Sequence, residues 1–141
     1  MTTPPFALAM QVRDYECDIQ GVVNNAVYQN YLEHARHVFL LACGLDFAAL
    51  VRENINLVVT RAELDYVLPL RPGDEFTVTV SLERVSRLRF GFRQAIVRAR
   101  DGKTMLRAFV VGTALDARGR PHLPPQVELL LANEAGSEPV A

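Results

Sequence analysis

Apolar residues recur along this chain with two different periods. From Asn25 to Ala42, the positions Val27, Tyr28, Tyr31, Leu32, Ala35, Val38, Phe39 and Ala42 follow one another at three- and four-residue spacing. Gln29, Asn30, Glu33, Arg36 and His37 fall between them. That spacing predicts an amphipathic helix, which Asn24 can cap at its start and Gly44 can end. Beyond it the period falls to two. Phe76, Val78, Val80 and Leu82 alternate with Thr77, Thr79, Ser81 and Glu83, the pattern of a half-buried strand.

Other strands are expected at residues 8–13, at the β-branched run 56–66, and from Leu88, Phe90 and Phe92 to about residue 100. Asp101-Gly102 predicts a hairpin turn, which pairs that strand antiparallel with an interior strand at 105–115 that is apolar on nearly both faces. Residues 14–23 and 68–74 read as a loop and a turn cluster, and Pro121, Pro124 and Pro125 end the sheet. One long helix inserted after the first strand of an antiparallel sheet is an α+β pattern, in which the helix buries its apolar face on the sheet. The expected organisation is one domain over residues 1–131 and a flexible tail over 132–141.

Composition narrows the class. The chain has 141 residues, half of them hydrophobic, which suits one globular domain and argues against disorder. No apolar run approaches the roughly 20 residues of a membrane span, and the first residues have no basic stretch leading into an apolar one, so the expected compartment is the cytoplasm. Cys17 and Cys43 stand alone in the sequence without a Cys-x-x-Cys partner, and His34, His37 and His122 show no metal-ligand spacing. Neither a disulfide framework nor a metal site is therefore expected. A net charge of −1 gives no general attraction to nucleic acid. The basic residues are nevertheless uneven: Lys103 is the one lysine among 15 cations, and residues 84–107 hold seven arginines and that lysine against Asp101 alone, a local balance of 8 − 1 = +7. Arginine's planar fork suits phosphate and carboxylate groups.

Candidate chemistry lies where the first loop meets the helix. Asp18 precedes Asn25 by seven residues, with Gly21 between them to let the chain turn sharply. The first turn of a helix presents unpaired N–H groups and a positive dipole end, a place for an electron-rich carbonyl oxygen. A carboxylate beside it can act as base or nucleophile on that carbonyl. The same residue can equally well stabilise the loop and helix start. Glu33, about two turns into the helix, is a second candidate acid, or it pairs with Arg36 or His37 at helical spacing.

Asp18, Gly21, Val23, Asn24, Asn25, Tyr28, Tyr31, Glu33 and Arg36 spell Asp-x-x-Gly-x-Val-Asn-Asn-x-x-Tyr-x-x-Tyr-x-Glu-x-x-Arg. The motif resembles that of the hotdog-fold acyl thioesterases of the 4-hydroxybenzoyl-CoA thioesterase family, and its Val-Asn-Asn run is similar to that of acyl-carrier-protein thioesterases of the same fold. The likeness extends over residues 10–125. It implies an antiparallel sheet of five or more strands wrapped around the long helix, chains joined edge to edge into homodimers or homotetramers, and active sites at the dimer interface. It implies hydrolysis of an acyl-CoA or acyl-carrier-protein thioester without metal or redox cofactor.

In that resemblance Asp18 stands at the catalytic carboxylate and the backbone N–H of Asn25 at the carbonyl-polarising donor. Many bacterial relatives carry His at Val22 or Asn25, where this chain has no basic residue. Relatives in polyketide pathways lack the acid and use Asn and Arg around the helix, a route open here to Asn24, Asn25 and Arg36. Gly21, Val22 and Tyr28 would adjoin the substrate, and Ser86, Arg87 and Arg89 would meet CoA phosphates or an acidic carrier. The alternative is a non-catalytic acyl-thioester binding or sensing module.

Overall fold

The computed structural model describes residues 6–135. Its elements are β1 (Phe6–Gln11), α1 (Asn25–Ala42), α2 (Phe47–Arg52), β2 (Asn56–Tyr66), β3 (Glu75–Ser86), β4 (Arg89–Arg98), β5 (Thr104–Leu115) and α3 (Pro125–Ala135). The five strands form one antiparallel sheet in the order β1-β3-β4-β5-β2. This is the α+β hotdog arrangement that the motif implied.

Two local signals bound α1. The Asn24 side chain accepts from the Ala26 N–H at 3.0 Å. At the other end Gly44 takes φ +87°, so that its N–H reaches the Leu41 carbonyl and the Leu45 N–H the Leu40 carbonyl at 3.1 Å, the left-handed exit that glycine permits. Between these caps, Tyr31, Leu32, Ala35 and Phe39 are buried. They meet the inward rows Phe76-Val78-Val80-Leu82 of β3 and Phe90-Phe92 of β4. The Tyr31 and Phe76 rings lie 4.8 Å apart and the Phe39 and Phe92 rings 6.4 Å apart.

Helix α1 rests on β1 and β3 and leaves the inner face of β2 largely bare. That asymmetry opens a cavity between helix and sheet.

The structure moves some expected boundaries. The first strand ends at Gln11 rather than residue 13, because the Val12 N–H already bonds the Asp74 carbonyl and residues 14–16 form a single 3-10 turn. Two helices escaped the periodicity. Helix α2 is only six residues long, capped by Asp46, whose carboxylate accepts from the Ala49 N–H at 3.0 Å. Helix α3 starts at Pro125: proline breaks a sheet but fits a helix's first position, where its missing N–H is not needed. It carries the helical chain to Ala135, past the tail boundary expected at 131. The rest of that expected tail, 136–141, lies outside the described residues. Among the described residues no helix is long and apolar enough to cross a membrane.

Candidate active site

The loop before α1 folds back on itself. Cys17 and Val23 form an antiparallel bridge, the Asp18 N–H bonds the Val22 carbonyl at 2.9 Å, and the Gly21 N–H bonds the Asp18 carbonyl at 3.0 Å. Gly21 makes the turn at φ +74°, a backbone that side chains with a Cβ rarely adopt. Paired backbones run about 5 Å apart, so Asp18 stands beside the segment that enters the helix. Its Oδ1 accepts from the Gln20 N–H at 2.9 Å, and the side chain is exposed.

Glu16 anchors this loop from below. Its Oε1 accepts from the Arg13 N–H at 2.7 Å and from the Tyr31 hydroxyl at 2.8 Å, and its carbonyl accepts from the Asn24 N–H at 3.0 Å. Burial, with the Glu16 carboxylate adding to it, pushes the Tyr31 hydroxyl well up from its ordinary value.

Asn24 is exposed and spends its side-chain oxygen on the helix cap. Asn24→Ala is therefore expected to lower stability by about 1 kcal/mol and to fray the first turn, which denaturant unfolding and amide exchange at residues 25–27 would report. Asn25 is the first helical residue, and its N–H belongs to the first-turn donors that have no intrahelical acceptor. Tyr28 lies in the core directly beneath, where its hydroxyl accepts from the Leu70 N–H at 3.0 Å. Tyr66, which the sequence did not single out, packs its ring 5.5 Å from Tyr28 and donates to the Asn25 carbonyl at 3.3 Å. The edge strand β2 is thereby tied to the helix start.

Farther along α1, a cavity of about 700 Å³ opens between the helix and β2, β4 and β5. Glu33 and Arg36 line it, together with Phe90, Phe92 and Gly112. Among the described residues Glu33 makes no ion pair with either Arg36 or His37; the His37 ring packs 4.7 Å from Phe47. Gly112 is required by close approach, since a Cβ there would stand 2.8 Å from the Val58 carbonyl oxygen and 2.9 Å from the Phe90 ring.

Ser86, Arg87 and Arg89 sit at the β3–β4 hairpin, whose second strand leads into Phe90 of the cavity wall. The basic segment is partly neutralised by Asp101 within it and by two acids outside it. Arg84 pairs with Glu128 of α3 and donates to the Ser86 and Arg87 carbonyls, each at 3.2 Å. Arg93 pairs with Glu83 at 3.0 Å while covering the Phe109 ring. Arg98 pairs with Asp101 at 2.6 Å, and its guanidinium holds that carboxyl down at about 2. Among the described residues Arg87 and Arg89 form no ion pair, and no group of three His, Cys, Asp or Glu side chains could hold a metal ion.

The structure thus brings Asp18, Gly21, Val22, Asn24 and Asn25 together at the loop and helix start. It places Glu33 and Arg36 in the cavity, Ser86, Arg87 and Arg89 at the hairpin, and Tyr28 in the core.

Residues 12–131 match the thioesterase-like superfamily. The chain is 37% identical over 112 residues to the acyl-acyl carrier protein thioesterase ATL3, chloroplastic, of Arabidopsis thaliana, covering 79% of this chain and 59% of that protein. It is 35% identical over 114 residues to ATL2 of the same plant, covering 81% and 61%. It therefore spans about three fifths of the length of these relatives. Among solved structures, a 1,4-dihydroxy-2-naphthoyl-CoA thioesterase from Synechocystis superposes with a TM-score of 0.84 at 20% identity, covering 92% of this chain and 97% of that one. A Staphylococcus aureus protein solved in complex with CoA gives 0.90 at 18% identity, covering 100% and 90%. At those identities the superpositions speak for the fold alone.

Proposed function

The chain belongs to the thioesterase-like superfamily, and from that premise we propose that it hydrolyses an acyl-CoA or acyl-carrier-protein thioester to a free acid and a thiol. The observation that carries this reading is the Cys17–Val23 bridge, which sets the exposed Asp18 beside the segment that enters an 18-residue helix. A thioester oxygen accepting from the Asn25 N–H gains the positive end of α1, and such preorganised donors supply about 3–4 kcal/mol as negative charge develops on the oxygen.

Asp18 then acts in one of two ways. As base it takes a proton from water, whose oxygen bonds the acyl carbon. As nucleophile its own oxygen forms that bond, and water hydrolyses the resulting anhydride. On either route the C–S bond breaks and the thiolate leaves, to be protonated to the thiol. Glu33 is the second candidate acid. Asn24 holds the helix start, and on the acid-independent route it acts with Asn25 and Arg36.

Gly21 and Val22 shape the approach, Tyr28 supports it from beneath, and Ser86, Arg87 and Arg89 offer the cations for CoA phosphates or an acidic carrier. The working unit is a homodimer, or a dimer of dimers, joined through β2: an eleven-residue edge strand exposed over most of its length invites a second copy. The compartment in this reading is the cytoplasm, consistent with free Cys17 and Cys43.

Calorimetry separates this reading from a sensing module. Repeated injection of acyl-CoA should give sustained reaction heat and free acid in the cell. A single saturating isotherm, with the thioester recovered intact, would instead identify a binding protein.

A further inference from the structure

The cavity beside α1 holds a cation with no carboxylate bonded to it. Arg36 is half-buried, and among the described residues its guanidinium forms no ion pair. Its Nη1 donates to Gln94 Oε1 at 3.1 Å, and the group lies 5.9 Å from the centre of the Phe92 ring. Gln94 is 3% exposed, and its Nε2 donates to the Leu32 carbonyl at 3.1 Å. The amide is therefore held with its oxygen toward Arg36.

A guanidinium has five N–H donors, and this contact uses one. Leu40, Phe47, Leu57, Phe90 and Val110 give much of the cavity wall no side-chain acceptor, and among the described residues Asn30, His34 and His37, which also line it, form no hydrogen bond with Arg36. Burial lowers the Arg36 pKa, against a smaller opposing effect from Glu33, whose side chain is exposed to water. A desolvated cation of this kind is costly unless something accepts its hydrogen bonds.

The cavity lining begins at Asn30, five residues past Asn25 and so about 7 Å farther along the helix. An acyl group whose carbonyl sits at Asn25 would bring its distal part here. Resting on the thioesterase reading, we propose that Arg36, positioned by Gln94, selects acyl groups that carry a hydrogen-bond-accepting oxygen in their distal part over plain alkyl chains of equal length.

The test compares kcat/KM for acyl-CoA pairs of equal length, plain against distal hydroxyl, keto or carboxylate. At least one oxygenated form should be preferred by about tenfold; a preference confined to the carboxylate marks an anionic substrate, and one shared with hydroxyl or keto a neutral acceptor. Arg36→Met, which keeps the aliphatic stem, should bring the ratio close to one. Gln94→Met should lower it too, and Arg36→Lys should restore part of it. An oxygen next to the thioester should give no advantage.

Equal or reversed preference in an active enzyme, or a ratio unmoved by Arg36→Met, overturns the proposal while leaving the thioesterase reading intact. Binding of the free acids, measured by calorimetry, covers the converse case. A protein that hydrolyses none of the thioesters yet binds the oxygenated acid tenfold tighter defeats the thioesterase reading and supports the selectivity.

Discussion

Asp18→Asn is expected to lower kcat by about a hundredfold or more, because positioned acid–base groups contribute on the order of 10²–10⁴ in rate. The substitution removes the negative charge and keeps the shape. An asparagine Oδ1 can still accept the Gln20 and Val22 N–H groups that Asp18 Oδ1 now holds at 2.9 and 3.5 Å, and the bonds from the Asp18 N–H to the Val22 carbonyl and from the Gly21 N–H to the Asp18 carbonyl do not involve the side chain. Circular dichroism and the unfolding midpoint should therefore stay close to those of the parent, and substrate binding should persist. Full activity in this variant would shift the chemistry to Asn24, Asn25 and Arg36.

Charging the β2 edge should have the other large effect. Val59 is 54% exposed and Val67 45% exposed in the single chain. Apolar groups left bare on and beside an unpaired edge strand mark a pairing surface. The double variant Val59→Lys, Val67→Lys should fold, since neither side chain is in the core, but elute at the mass of one chain. Because the site is proposed to need two copies, kcat/KM should fall at least tenfold, on the order of what loss of one positioned contact costs. A variant that keeps the parent's mass, or a monomer with full activity, would contradict the β2 interface.

What the sequence disclosed about this fold was whatever depends on neighbours along the chain. Asn24 and Gly44 bound α1 because a cap bonds residues within a few positions of itself, and Asp101-Gly102 marked the β4–β5 turn for the same reason. The helix that Pro125 begins was not legible, because proline ends one element and can begin another, and only the residues packed after it decide which.

Gln94 was illegible. In sequence it is one polar residue in a strand; its burial comes from pairing with Val80 on one side and Ala108 on the other, under the Leu32 carbonyl of α1. Tyr66 and the Leu70 N–H that fixes Tyr28 are likewise brought to the helix start from about forty residues away. The charge of residues 84–107 misled in the same way, since Glu83 and Glu128, the acids that balance Arg93 and Arg84, lie outside that window.

Thiol release is the most direct measure of the central claim. Purified protein is mixed with acyl-CoA and acyl-carrier-protein thioesters of graded chain length and with aromatic acyl-CoA, and the free thiol is followed with time. The account predicts saturable, multiple-turnover release from at least one member of the set, lost in Asp18→Asn. Tight binding with no thiol released from any of them would contradict it.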